Sequence, residues 1–121
     1  MADGKKKILV VEDEKPLSHA LQLKLQHEGF EVAAASDGQE CVKMVQEQEF
    51  DVILLDLIMP VLDGFQVLEQ LRTLPKMPAV FVLSNLSQHE DEERVLALGA
   101  RKFFIKSDTP LTTIIEEVSK L

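Results

Sequence analysis

Short apolar runs alternate along the chain with stretches in which apolar residues recur every three or four positions. Lys7-Ile8-Leu9-Val10-Val11 is rich in β-branched residues and predicts a first strand. Pro16 fits the first turn of a helix, where its missing donor costs nothing. Leu17, Ala20, Leu21 and Leu25 then follow at helical spacing as far as Gly29, a candidate C-cap. Phe30 to Ala35 predicts a second, weaker strand. Ser36-Asp37-Gly38-Gln39 has the form of a capping box, opening a helix that buries Cys41, Val42 and Val45.

Residues 52–55 predict a third strand, Val-Ile-Leu-Leu, ended by Asp56. Asp63 with Gln66 caps a helix burying Phe65, Leu68 and Leu71. Ala79-Val80-Phe81-Val82-Leu83 predicts a fourth strand. Ser87 with Glu90 caps a polar helix carrying Val95, Leu96 and Leu98, stopped by Gly99. Lys102-Phe103-Phe104-Ile105 predicts a fifth strand, and Leu111, Ile114, Ile115, Val118 and Leu121 line one side of a last helix. Strands alternating with helices imply an α/β fold, a parallel sheet between two helix layers with right-handed crossovers. Nearly continuous apolar strands agree with burial on both faces. The expectation is a three-layer (βα)5 chain, one domain over residues 1–121 with a core of about 6–120, and no output domain.

The strands end on chemistry. The first delivers Glu12-Asp13, with Glu14 beyond; the third delivers Asp56, the fourth Ser84, the fifth Lys106. Sites of open α/β sheets lie outside the carboxyl ends of the strands, so these groups meet if strands one and three are neighbours. The flavodoxin-like order 2-1-3-4-5 makes them neighbours; the dinucleotide-binding order 3-2-1-4-5 does not. Three carboxylates in one pocket repel, by about 4 kcal/mol for two unit charges 4 Å apart at an effective dielectric near 20. A cation relieves this. Hard oxygen donors suit Mg²⁺, whereas His19, His27, His89 and Cys41 show no zinc-ligand spacing. An ionised Asp56 then has the makings of a phosphoryl-accepting nucleophile, with Lys106 and Ser84 placed for the phosphoryl oxygens.

With these residues in hand, the chain resembles the receiver domain of two-component response regulators, of the chemotaxis-receiver kind, from about residue 6 to residue 120. The matching pieces are Ile8 through Glu14, Leu54-Leu55-Asp56-Leu57-Ile58-Met59-Pro60-Val61-Leu62-Asp63-Gly64, Val82-Leu83-Ser84-Asn85, and Gly99-Ala100 with Lys106 six residues later. Chemotaxis receivers are themselves an example of the 2-1-3-4-5 order. The resemblance implies that Asp56 accepts phosphate from a sensor histidine kinase or phosphotransfer protein. It implies that Glu12, Asp13, Asp56 and the backbone carbonyl of Ile58 bind Mg²⁺, and that Ser84 and Lys106 hold the phosphoryl group. Phe103 stands at the aromatic switch position. The signal would pass through the face of helix four, strand five and helix five to a downstream protein, or to a second copy in a phosphorylation-dependent homodimer. Arg94, Arg101 and Lys102 near that face could meet a partner's acids, though exposed pairs contribute little each.

Three positions depart from that pattern. Ser107 follows Lys106 where the family usually has proline after a cis bond, which leaves this peptide between cis and trans and the aim of Lys106 open. Phe103 has no hydroxyl to complete a hydrogen bond. Ile58 and Leu86 make apolar the two positions that flank attacking water in receivers. The Ser107 departure keeps open a pseudo-receiver, a binding module of the same fold that never takes phosphate. A metal-dependent phosphatase usually has a second acid where Ile58 stands, and a nucleotide-binding enzyme wants a glycine-rich loop where Glu12-Asp13-Glu14 would repel phosphate.

Composition narrows the partners. The 121 residues are 45% hydrophobic and 28% charged, a globular balance, with a net charge of −8 that argues against direct nucleic-acid binding. No run approaches a membrane span, the start has no signal-peptide core, and one cysteine forms no internal disulfide, so the expected setting is cytoplasmic. Lys5-Lys6-Lys7 reads as a solvated tail, and the terminal Ser119-Lys120-Leu121, though it spells a peroxisomal address, as the end of a helix. The expected role is a signalling domain and not a turnover enzyme.

Overall fold

The structure, a computed structural model, describes residues 6–59, 61–85 and 89–121, with only the backbone of His89. The chain runs β1 (Lys7–Val11), α1 (Lys15–His27), β2 (Glu31–Ala35), α2 (Gly38–Glu47), β3 (Val52–Asp56), α3 (Gly64–Leu71), β4 (Ala79–Ser84), α4 (His89–Ala97), β5 (Lys102–Ile105), a 3-10 turn (Lys106–Asp108) and α5 (Leu111–Ser119). The sheet has the order β2-β1-β3-β4-β5, every pair parallel, which is the flavodoxin-like arrangement.

Alternation along the strands sorts the core into two layers. Leu9, Val11, Ile53, Leu55, Val80 and Val82 face one way and meet Cys41 of α2, Leu68 of α3 and Val95 of α4. Ile8, Val10, Val52, Leu54 and Phe81 face the other and meet Leu21 and Leu25 of α1 with Ile114 and Val118 of α5. Phe81 and Phe104 cross edge to face at 5.9 Å, tying β4 to β5 on that side. Both edge strands are thinly covered: β2 exposes Glu31 and Ala34, as its weak pattern implied, and β5 exposes Lys102 and leaves its other residues half-buried.

Several local readings move. The box opening α2 lies one residue later than expected: Asp37 accepts from the Glu40 N–H, and Glu40 Oε1 accepts from the Ser36 N–H, so Gln39 takes no part. The Asp63–Gln66 box forms as written. The Ser87 cap lies outside the described residues. Leu96 is 42% exposed and Leu121 36% exposed, so neither belongs to the core; the buried member of α4 is Val95. In α3, Val67 is buried alongside Leu68 and Leu71, while Phe65 packs at the margin. Helix α1 has no side-chain cap, so neither Glu12 nor Asp13 is used as one.

Gly38 has a demand the sequence hid. A β-carbon there would lie 2.3 Å from the Leu62 carbonyl oxygen and 2.7 Å from Val67 Cγ2, where α2 abuts the β3–α3 loop. Gly38→Ala is expected to destabilise by about 1–3 kcal/mol through overpacking, read as a lower urea midpoint with unchanged slope. An unchanged midpoint would show that this loop yields freely.

Candidate functional site

Strand register assembles the site. Val11 pairs with Leu55, so Glu12 and Asp56, each one residue further on, end adjacent strands. Asp56 pairs with Leu83, placing Ser84 one step beyond, and Ser84 pairs with Ile105, placing Lys106 one step beyond that. The Glu12 N–H donates to the Ala35 carbonyl at 3.1 Å, and the Leu57 N–H to the Leu83 carbonyl at 3.1 Å, which extends the sheet geometry past the strand ends.

Burial separates these groups from ordinary surface charges. Glu12 is 2% exposed, Asp56 3% and Ser84 0%. The Lys106 ammonium fills the space among the acids. Its Nζ lies 2.9 Å from Glu12 Oε1 and 3.3 Å from Asp56 Oδ2, with Glu14 Oε1 at 3.9 Å. Among the described residues, Glu12 Oε1 meets no donor other than this ammonium. The other Glu12 oxygen accepts from the Glu14 N–H at 3.1 Å, and Asp56 Oδ1 accepts from the Ile58 N–H at 3.3 Å.

This environment shifts two groups. Burial, and after it the Glu12 charge, push the Asp56 carboxyl up to about 7, even though Lys106 and the Ile58 N–H pull the other way. Burial pulls the Lys106 ammonium down, but Glu12 and Asp56 more than offset it and the net direction is up.

One carboxylate oxygen each from Glu12, Asp13 and Asp56 lie within 4.8 Å of one another. All three are hard oxygen donors, Asp13 is open to solvent, and one buried Glu12 oxygen has only the Lys106 ammonium beside it, so the residues fit an oxygen-seeking divalent cation of the Mg²⁺ kind.

Glu12, Asp13, Asp56 and Lys106, named from sequence, come together, and Ser84 ends the strand between Asp56 and Lys106. Ile58 lies at the mouth, 54% exposed. Phe103 is half-buried against the α2–α4 side of the core. Leu86 lies outside the described residues. Among the described residues no peptide bond is cis, so the bond from Lys106 to Ser107 is trans, yet the turn beginning at Lys106 still aims its side chain into the pocket. Two cations expected to await a partner are already engaged. The Arg94 guanidinium stacks 3.9 Å over the Phe65 ring, and Lys102 pairs with Glu117 at 2.8 Å. Sequence reasoning missed that Glu14 comes near Lys106; three adjacent acids after a strand did not say which would turn inward.

Residues 8–117 match the family described as the response regulator receiver domain. The chain is 38% identical over 105 residues to the alkaline phosphatase synthesis transcriptional regulatory protein PhoP of Bacillus subtilis; the match takes in 87% of this chain but 44% of that protein. The chain thus spans less than half the length of this curated relative. Among solved structures, the receiver domain of the Francisella response regulator 1452 superposes with a TM-score of 0.90 at 28% identity, over 96% of this chain and 95% of that one. The chemotaxis response regulator CheY4 of Vibrio cholerae gives 0.88 at 28% identity, over 96% and 98%. No helix among the described residues is long and apolar enough to cross a membrane. A match over nearly the whole chain, on a sheet of the right order with acids and a lysine gathered at one edge, leaves a single conclusion: the chain belongs to the response regulator receiver domain family of two-component systems.

Proposed function

We propose that Asp56 is the phosphoryl acceptor of this chain, and that its donor is a phosphohistidine on a sensor kinase or phosphotransfer protein. Phosphorylation of an aspartate is general to the family. The observation that carries the reading here is Lys106 Nζ, held 3.3 Å from the buried Asp56 carboxylate and 2.9 Å from Glu12 at the same sheet edge. In the transfer, an Asp56 oxygen attacks phosphorus, the phosphorus–nitrogen bond to the donor imidazole breaks, and its electron pair leaves with the imidazole, which is neutral once protonated.

Glu12, Asp13, Asp56 and the Ile58 backbone carbonyl would hold Mg²⁺. That ion, when bound, offsets charge on the phosphoryl oxygens and favours the ionised form of Asp56. The residues supply the rest. Lys106 has a mobile point charge ready to turn from Glu12 to a phosphoryl oxygen, and Ser84 a hydroxyl to hydrogen-bond another. Their rearrangement, with Phe103 as the aromatic switch, would reshape the α4–β5–α5 face for a downstream protein or a second phosphorylated copy. The role is that of a cytoplasmic signalling unit over about residues 6–120, which signals by protein contact and does not itself touch nucleic acid.

The test is intact mass after incubation with Mg²⁺ and a small acyl phosphate. The expected result is one phosphate adduct on the parent protein and none on Asp56→Asn. No adduct with any donor would leave a pseudo-receiver, and many turnovers without adduct would leave a phosphatase.

Ile58 at the mouth sets the lifetime of the adduct by excluding water. Ile58→Asn, which offers an attacking water a hydrogen-bond partner but no base, is expected to shorten the phosphoryl half-life by about tenfold, below the roughly 10²–10⁴-fold of full general acid–base catalysis. The measurement is decay of the adduct after the donor is removed. An unchanged half-life sinks the idea.

A further inference from the structure

The sheet has a second edge, at the amino ends of its strands, and a cavity of about 910 Å³ opens there. Its floor is apolar: Val45, Leu74 and Met77 with Phe50, a residue 7% exposed. Lys6 before β1, Lys76 before β4 and Arg101 before β5 stand around it. Among the described residues, none of these three side chains has an ion pair, hydrogen bond or ring contact. The other charges lining the cavity are partly committed. Lys120 pairs with Glu117 at 3.1 Å, and Asp51 Oδ2 accepts from the neutral Lys7 N–H at 2.8 Å, so the three cations face two acidic side chains, Glu49 and Asp51.

This local charge runs against the rest of the molecule. With 21 acids and 13 bases, an average patch of this chain is negative. Three unpaired cations converging on one concavity therefore concentrate positive potential where the chain average predicts the reverse. Volume, an apolar floor and a few convergent polar groups are the features of a small-molecule site. Pro75 and Pro78 fix φ in the wall between α3 and β4, so less ordering is needed on binding. We propose that this cavity binds a small organic anion: a flat apolar body that lies on Phe50 and Met77 and carries one carboxylate or phosphate that meets Lys76 and Arg101. The site lies at the sheet edge opposite Asp56 and does not depend on phosphorylation there.

The probe is naphthoate, with the neutral naphthamide as control, titrated into the whole chain and followed by amide NMR. The expected result is saturable shifts at Phe50, Met77, Ala79 and Arg101, weaker by at least about tenfold for naphthamide and for Lys76→Glu with Arg101→Glu, one decade being 1.4 kcal/mol. Both substituted residues are exposed, and the dispersion of the same spectra verifies the fold of the variant. The proposal is overturned by the absence of saturable shifts, by shifts elsewhere on the molecule, by equal binding of naphthamide, or by an unaffected double variant. Inorganic phosphate binding as tightly as naphthoate would also overturn it, because the apolar floor would then contribute nothing. Sedimentation with phosphatidylglycerol vesicles that the double variant abolishes would assign the cations to a lipid surface and overturn the small-molecule reading.

Discussion

Lys106→Met is expected to destabilise the metal-free protein by about 3–5 kcal/mol near pH 8, the usual cost of removing one partner from a buried ion pair. The lysine side chain is 12% exposed and the Glu12 and Asp56 side chains it joins are 0% and 4% exposed. Methionine keeps the length and apolar stem but leaves two carboxylates facing each other in a site from which water is largely shut out. The deficit should shrink near pH 5, where Asp56 takes up a proton, because its carboxyl is pushed up to about 7. Millimolar Mg²⁺ should restore most of the loss, since it offers the same acids another cation. Urea unfolding in EDTA measures it. Coincident midpoints for parent and variant near pH 8 would mean that the lysine contributes nothing to the fold.

Asp56→Asn is expected to act in the opposite direction. A carboxyl raised from 3.8 to about 7 on folding binds its proton more tightly in the native state. Between those values the folded protein holds more protons than the unfolded chain, so stability falls as pH rises. This contribution is fully present below the unfolded value and is lost as pH passes through the folded value. Asparagine resembles the neutral carboxyl in size and cannot ionise, so the variant should lose this descent. In EDTA near pH 8 it should be more stable than the parent by roughly 1–4 kcal/mol, the upper bound being the full shift at 1.36 kcal/mol per unit and the lower allowing for the lost Lys106 pair. Near pH 4 the two should converge. Thermal melts across that range decide it, and a parent stability that does not fall between pH 5 and 8 relative to the variant would refute the sign.

The three central strands were legible because they are buried almost throughout, and four of the five apolar runs end in a residue of different character. Asp56 and Ser84 announce the ends of β3 and β4 by polarity alone, although both turn out to be the last residue of the strand itself. Strand order followed from asking which arrangement lets Glu12 and Asp56 meet, and the observed order is the one that does. Helix faces were less legible. Leu96 and Val95 are adjacent apolar residues on one short helix, and only docking decides which is buried; Val95 is, and Leu96 faces out. The α2 box slipped because Asp37 and Ser36 can both cap, and the partner that decides between them, Glu40, is itself one residue further on. The aim of Lys106 could not be read from Ser107, since it depends on how the turn after β5 sits against β1, a contact between residues far apart in sequence. The basic cavity is of the same kind: Lys6, Lys76 and Arg101 share nothing along the chain except a position just ahead of a strand.

The strand order β2-β1-β3-β4-β5 has a consequence for synthesis. As the chain leaves the ribosome, β2 pairs with one side of β1, β3 takes the other, and β4 and β5 add outward in turn. Each newcomer docks on a free edge, and no completed ladder must open to admit it, so the growing chain can fold in the order it is made. The acids meet when β3 joins β1, while Lys106 waits for the fifth and last strand. A nascent chain that folds in this order would hold Glu12, Asp13 and Asp56 together before their lysine arrives, and a solvent cation would offset their repulsion in the interval.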